Sequence, residues 1–508
     1  MTALPLWWWA RGLNLRERID APRPPAADRV GGGIRSGRWS LGDRAGFAAR
    51  LADMALSDDL ASALGDELPE RLGARAPKPG WAHYIEMAVA AAPEEALEKS
   101  ETREGTGRDA EGAAVFLPAL RPLIAPAWAG VAARLPLPES EHDAVRSAFE
   151  TRLGGRLTRL SARTLVKELN RERVAGRLNG ATAQERFAAF TASLGTRQGL
   201  ALLFTRYPVL GRMLGQTAVY AVEAMVELAD RLHADRERLA AELFGGVDPG
   251  VLTRLELGCG DAHQGNRSVA ILHFAAGSVV YKPRPLDQHA LLDEAVSWLN
   301  AKVAGLGLRT PRTVRSEGYG WLEFIEHRLC ESVTEADRFY WHQGALLALL
   351  YAIDGTDVHY ENLIACGDQP LLVDAETLLH SGLPFATTAG ADPAAEALQA
   401  SVYRTGLLPY LLIGDHGALD VSAIGRTEGG SYPSDALCWE GAGTDEMRAV
   451  RRPVCGPAPA GQNQPLAGSR PSGRADFRAA MLEGFRTGYD AICRHRSELL
   501  AQTGFPTR

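Results

Sequence analysis

Lysine is scarce in this chain: of 55 basic residues only five are lysine, Lys78, Lys99, Lys167, Lys282 and Lys302. A compact ammonium makes a point contact and a guanidinium a planar fork, so a lone lysine in an arginine-rich chain invites a question about its role. Cysteine is also sparse, six in 508 residues and without regular spacing. That excludes a disulfide scaffold and suits a reducing, cytoplasmic setting. Cys438, Cys455 and Cys493 form no C-x-x-C or Cys-His pair of zinc-ligand spacing. Charge of one sign is lacking as well: a net −7 argues against nucleic acid as the main partner. Arginine clusters such as Arg448, Arg451 and Arg452 read as local solvated faces. Long apolar runs are missing. Trp7-Trp8-Trp9 sits in one of about eight residues, too short for a transmembrane segment and without the basic start or small-residue cleavage site of a signal peptide. It reads as a helix anchor in the core.

What is present is enough for two or three domains, with 46% hydrophobic residues over 508 positions. The pattern predicts an α+β fold. Residues 1–240 are Ala/Leu/Arg/Glu-rich with three-to-four spacing, as in Phe187 to Leu194 and Val219 to Leu243, and read as a large helical region. From Val251 to Glu326 the pattern turns to strands, giving a small lobe over 241–335. A large lobe follows over 336–508, with a last helix from Asp476 to about Leu500. Gly31 to Gly33, Glu101 to Gly112, Ala386 to Pro393 and Arg451 to Gly473 read as loops. No internal repeat is visible.

The most informative stretch is DVHYENLIACGDQPLLVD, from Asp357 to Asp374. An Asp and an Asn five apart, a turn, and an apolar strand ending in a second Asp is the layout of a kinase catalytic loop with its metal carboxylate. One carboxylate must sit beside the attacking hydroxyl, while an amide oxygen and a second carboxylate hold the Mg²⁺ ions that bridge the nucleotide phosphates. Asp357 is the candidate base, and Asn362 and Asp374 the candidate metal ligands. Phe339 to Ile353 reads as a buried helix delivering that loop, and Pro370 to Asp374 as a short buried strand. The same Asp, Asn and Asp would equally cap turns on either side of a hairpin-like connection.

Upstream lies Gly258-Cys-Gly260-Asp261-Ala-His263-Gln-Gly265, a glycine-rich turn, followed by two β-branched runs across Ala-Ala-Gly277-Ser. These read as a hairpin that ends in Tyr281-Lys282-Pro283-Arg284. Alternation puts Val279 and Tyr281 on one face, with Val280 and Lys282 on the other, so Lys282 is free to leave the sheet toward a cleft. A kinase needs such a lysine to neutralise nucleotide phosphates, and here it lies 75 positions before Asp357. The alternative is a solvated edge-strand lysine guarding against aggregation. Gly258, Gly260, Gly265, Lys282 and Arg284 are thus the nucleotide-binding candidates.

These residues carry a family resemblance. LVKELNRERVAGRLNG, GDAHQGNRSVAILHFAAGSVVYKPRPLD, YGWLEFIEH, GTDVHYENLIA and LLVDAETLL, in that order, resemble the dehydratase domain of class II lanthipeptide synthetases. The likeness is strong from about Leu160 to about Arg426 and weaker at WARGLNLRERID and at Gly484 to Tyr489. It implies a lipid-kinase-like two-lobed core that uses ATP and Mg²⁺ to phosphorylate Ser and Thr of a ribosomal precursor peptide. The helical region would help bind the leader of that peptide. Elimination of phosphate would then give dehydroalanine or dehydrobutyrine. Carried over by position, the phosphorylation set falls on Lys282, Asp357, His359, Asn362, Asp374 and Glu376, with Asp261 and His263 a further pair near the phosphates. On their own chemistry, His263 serves as an acid, as a phosphate contact, or as a brace for the glycine turn. Glu376 serves as a supporting carboxylate on the face of Asp374, or as an ordinary helix N-terminal acid.

Two departures shape the expectation. The arginine-rich elimination motif of the family, with its Arg/Thr pair, has no counterpart up to Arg508, and the cyclase zinc ligands are absent. The expected product is therefore a phosphopeptide or none, the chain being a truncated gene product, one whose missing parts, the cyclase among them, come from a separate chain, or a relic. A small-molecule or lipid phosphotransferase, and a leader-gripping relic without activity, are the other readings.

Overall fold

The computed structural model describes residues 4–22, 42–96, 110–379, 393–425, 434–453, 461–466 and 474–501. The chain is α+β and resolves into two compact units. One comprises Met1–His233 with the short pieces Ala262–Arg267 and Cys438–Val450; the other takes Ala234–Asp261, Ser268–Leu437 and Arg451–Arg508.

The first unit is helical, and its order follows from capping and apolar spacing. Its main helices are α1 (Gly80–Ala91), α2 (Glu139–Val174), α3 (Ala183–Leu194), α4 (Arg197–Arg206) and α5 (Pro208–Glu242), the last running on into the second unit. Thr182 caps α3 in a capping box with Glu185, satisfying two donors that the first turn leaves open. The tryptophan run anchors the core as expected: Trp8 and Trp9 are buried, and Trp8 meets Trp81 edge to face at 5.7 Å. Asp445, almost fully buried, accepts from Arg186 Nε at 2.6 Å and so ties the 438–450 piece to α3.

The second unit is built on a five-stranded antiparallel sheet ordered β1-β2-β3-β5-β4. Its strands are β1 (Leu252–Leu257), β2 (Ala270–Phe274), β3 (Gly277–Lys282), β4 (Thr313–Ser316) and β5 (Tyr319–Glu323). Between β3 and β4 the chain forms α6 (Asp287–Lys302), inside a stretch whose overall pattern reads as strands. Leu292, Val296 and Leu299 recur at helical spacing and are buried, so period overrides the flanking context. Helix α7 (Val333–Ala352) then leads to the hairpin of β6 (Leu363–Cys366) and β7 (Gln369–Leu372). The last long helix, α8 (Arg474–Arg494), packs along α7.

Of the stretches read as loops, 31–33, 101–109, 386–392, 454–460 and 467–473 lie outside the described residues. Residues 110–112 instead open a short helix, Ala110–Ala114, Pro393 opens Pro393–Gln399, and Arg451 and Arg452 end a strand.

The end of α5 is fixed to the sheet by one buried carboxylate. Asp235 accepts from Trp321 Nε1 at 2.9 Å and from Tyr319 Oη at 2.8 Å, with Arg238 at 3.3 Å. Asp235→Ala leaves the buried indole N–H of Trp321 without this acceptor. It is expected to cost about 2–4 kcal/mol in chemical denaturation. An unchanged midpoint would show that water replaces the carboxylate at no cost.

Candidate functional site

Lys282 ends β3, the central strand of the sheet, and its side chain is buried rather than solvated. Its Nζ lies 3.1 Å from Asp374 Oδ1, in ion-pair contact but not aligned as a hydrogen bond. Two residues on, Arg284 lies 3.7 Å from Asp374 and in direct contact with Glu376. Two cations spaced i, i+2 thus face two carboxylates spaced i, i+2. Strand β7 ends at Leu372, so Asp374 and Glu376 both lie past it on irregular backbone. Burial pulls the Lys282 ammonium below its usual range, and the Asp374 carboxylate works against that shift. Burial likewise lowers Arg284.

The Asp357 loop is held by backbone clasps. Thr356 N–H donates to Thr377 O at 3.2 Å, Val358 N–H to Thr405 O at 2.8 Å, and Tyr360 N–H to Val421 O at 3.2 Å. Asp357 itself sits in the left-handed region with φ 59°, a conformation that Asp and Asn tolerate better than most residues. Its carboxylate is exposed. Asn362 Nδ2 donates to Asp357 O at 2.9 Å and faces His359 Nδ1 at 3.0 Å. His359 Nδ1 also lies 3.1 Å from Asp357 O, and Nε2 faces Glu361 at 3.4 Å. The Glu361 carboxylate raises the His359 pKa above its ordinary value, with Asp357 adding to the effect.

The structure therefore brings the predicted residues together in two groups, Lys282, Arg284, Asp374 and Glu376, and Asp357, His359 and Asn362. One hydrogen bond links them: Val373 N–H donates to Asn362 O at 2.9 Å. Gly258 and Cys259 both donate to Val269 O, and Gly258 and Gly265 take positive φ. Gly260 and Asp261 are exposed, and Asp261 makes no hydrogen bond or ion pair among the described residues. His263, also exposed, donates its backbone N–H to Arg267 O at 2.8 Å.

Sequence reasoning missed His289. It occupies the buried face of α6, and its Nε2 meets Val373 O at 3.3 Å, next to Asp374. A histidine among leucines at helical spacing reads as core, and nothing local tells otherwise. Burial lowers its pKa to about 4, with nearby Lys282 reinforcing the shift. The ring is therefore neutral in the folded state near neutral pH. As pH falls below about 6.5 the unfolded chain binds a proton that the folded chain refuses, so stability is lost down to pH about 4, by about 3 kcal/mol in all. His289→Gln is expected to remove that part of the acid sensitivity in urea titrations at several pH values. Identical pH profiles for variant and parent would contradict it.

Comparison with protein families matches residues 207–506 to a family described as Domain of unknown function (DUF4135). Among curated proteins, the Lacticin 481/lactococcin biosynthesis protein LcnDR2 of Lactococcus lactis subsp. lactis is similar to the chain, 23% identical over 278 residues. The match covers 52% of this chain and 29% of the relative, so the chain spans well under half of that protein. Among the described residues no helix is long and apolar enough to cross a membrane. The family match takes in α5, the sheet, the Asp357 loop and α8, so the chain belongs to the DUF4135 family and is lanthipeptide synthetase-like.

Proposed function

We propose that this chain is an ATP-using phosphotransferase with a lipid-kinase-like two-lobed core. It would be the dehydratase part of a lanthipeptide synthetase, phosphorylating Ser and Thr of a leader-bearing precursor peptide. The observation that carries the reading is the meeting of Lys282 with Asp374 at 3.1 Å, on a framework that also holds Asn362 against Val373. A buried lysine beside a loop-borne carboxylate and an amide is what a magnesium-nucleotide pocket requires. The relative named for lacticin 481/lactococcin biosynthesis supports a peptide as the acceptor.

The donor set suits Mg²⁺. Asn362 spends amide N–H groups on Asp357 O and His359 Nδ1, which leaves its carbonyl oxygen for a ligand. Asp374 Oδ1 and Glu376 Oε1 are buried and meet Lys282 and Arg284 as ion pairs, while Glu376 Oε2 accepts from Arg284. Among the described residues no three His, Cys, Asp or Glu side chains gather into a metal-binding group. An amide and two acids completed by water fit the habit of Mg²⁺, which dehydrates reluctantly. Held by Asn362, Asp374 and Glu376, the ion would supply charge neutralisation at the nucleotide phosphates.

In this reading Asp357, exposed at the loop, accepts the proton of the peptide hydroxyl as its oxygen bonds to the terminal phosphorus of ATP and the phosphorus–oxygen bond to ADP breaks, ADP leaving. Lys282 and Arg284 exchange carboxylate partners for phosphate oxygens, so the ion pairs hold them in place before the nucleotide arrives. His359, fixed between Asn362 and Glu361, keeps the loop in register.

Incubation with ATP, Mg²⁺ and a candidate precursor peptide, read by mass spectrometry, is the test. A gain of roughly 80 Da per site reports phosphorylation, and a loss of roughly 18 Da reports completed dehydration. Modification of a lipid or small-molecule hydroxyl in place of the peptide would move the reading to another phosphotransferase. No ATP-dependent change in any acceptor would leave a peptide-binding role and overturn the enzyme.

A further inference from the structure

Three neighbouring strands of the sheet carry a glutamate, a histidine and a serine in one hydrogen-bonded row. His273 on β2 stands opposite Arg254 on β1 and Ser278 on β3. Its Nδ1 lies 2.8 Å from Ser278 Oγ, and its Nε2 lies 2.9 Å from Glu256 Oε1. Arg254 reaches the same carboxylate oxygen at 2.7 Å and passes Nε2 at 3.1 Å. An ionised carboxylate only accepts, so Nε2 carries the ring proton and Nδ1 is left as the acceptor for the serine hydroxyl. The row exists because β1 is bulged. Leu252 stands opposite Phe274, yet Arg254 rather than Thr253 stands opposite His273. That extra residue keeps Leu252 and Leu255 both in the core and swings Arg254 and Glu256 onto the face of His273. Leu255, Leu272 and Val279, buried on the other face, already fix the register, so the sheet does not need the polar row to align. Ser278 follows the exposed stretch Ala275 to Gly277, and the His273 side chain keeps 17% of its exposure. Beside the pair, Ile271 and Val280 stand opposite each other, half-buried on the same face, and Phe324 sets its ring edge-on 6.0 Å from His273.

We propose that Ser278 is a nucleophile activated by His273 and Glu256, and that it takes the acyl group of an activated carboxylic ester with a short apolar chain. The inference goes beyond the phosphotransfer reading and does not use it. The row meets the geometric requirement of nucleophilic catalysis: a hydroxyl within hydrogen-bond reach of a base, and the base held by a third group. In the step, Ser278 Oγ bonds to the ester carbonyl carbon while its proton passes to His273 Nδ1. The bond from that carbon to the alcohol oxygen then breaks, and the alcohol leaves with the proton from Nδ1. Ser278 is left as an ester; attack by water releases the carboxylic acid and restores the hydroxyl. Glu256 stabilises the imidazolium formed on the way, and Arg254 keeps that carboxylate in place. Ile271 and Val280 give the acyl chain an apolar rest, which favours an uncharged chain over a charged one.

The test is incubation of the full chain, without ATP, with p-nitrophenyl butyrate. A burst of about one p-nitrophenolate per chain is expected, with a gain of roughly 70 Da on the peptide that contains Ser278. Ser278→Ala is expected to lose that label, and Ser278→Cys, which keeps a nucleophile at the same place, to retain it. His273→Gln should slow labelling by at least about 100-fold, and Glu256→Gln by about tenfold or more. The groups that face His273 are Arg254 and Glu256 from β1, Ser278 from β3 and the Phe324 ring. Labelling of the parent should therefore quicken with pH as a single group loses its proton, and His273→Gln should abolish that dependence, which a merely structural histidine would leave in place. Thermal melts accompany each variant. If His273→Gln melts lower than the parent, the more exposed Glu256→Gln and the pH profile of the parent carry the test. Label confined to lysines, equal rates in the parent and His273→Gln, or no label on Ser278 would each overturn the inference. Phosphotransfer is read separately, by mass change with ATP, so either idea is able to fail alone.

Discussion

Asp357→Asn is expected to lower ATP-dependent modification by about 10²–10⁴-fold while leaving the melting temperature where it is. The substitution is clean for structural reasons. Asp357 holds φ at 59°, where asparagine is tolerated and most other residues strain the backbone. The loop contacts made at this position use its backbone carbonyl, which accepts from Asn362 Nδ2 at 2.9 Å and from His359 N–H at 3.1 Å. Its carboxylate is about two-thirds exposed, and its nearest ionic neighbour, His359 Nδ1, is 3.5 Å away. Removing the charge therefore costs the fold little and costs a proton acceptor everything. Nucleotide affinity should change little, because Lys282, Arg284 and Asp374 are untouched. Initial rates by mass spectrometry, with thermal melts on the same preparations, decide it. A variant working near the parental rate would strip Asp357 of its role, and a parallel fall in melting temperature would make the loss structural.

Gly484→Ala is expected to destabilise the protein by about 3 kcal/mol or more. Helices α7 and α8 approach so closely that a Cβ on Gly484 would lie 1.9 Å from Trp341 O, and one on Gly344 would lie 2.0 Å from Met481 O. Both obstacles are main-chain atoms of the facing helix, so no rotamer change relieves them and the helices must separate. Separation would loosen the cluster in which Phe339, Leu346, Leu350 and Ile492 pack. Gly155→Ala on α2 is the natural control. A Cβ there meets nothing within 4 Å, and the helix gains about 0.5–1 kcal/mol from the stiffer residue. Opposite shifts of the two urea midpoints are the expected result; a Gly484 variant as stable as the parent would mean that the helices part freely.

Local patterns were readable where one period and one turn decide the outcome. The hairpin of β2 and β3 and the short strand after Asp357 stand within about two residues of their expected bounds, while the apolar helix before Asp357 ends as expected but begins at Val333 rather than Phe339. Helix α6 was not read, because the strand-rich segments around it set the context and its face of Leu292, Val296 and Leu299 is short. Nor was the clasp on the Asp357 loop. Thr405, Val421 and Thr377 contribute carbonyl oxygens, which carry no residue signature, from up to about 60 positions away. The same limit hid His289, whose importance lies in the Val373 carbonyl and the Lys282 charge it meets.

The order of chemistry along the chain belongs to the sequence alone: one strand lysine, an Asp-x-His-x-x-Asn loop, and two acids two residues apart. Only the tertiary structure decided that Lys282 is buried on a central strand, that it faces Asp374, and that Arg284 takes Glu376. The physical reason is range. Periodicity and turns act over a few residues, whereas desolvation and ion pairing depend on segments about 90 positions apart arriving at one place.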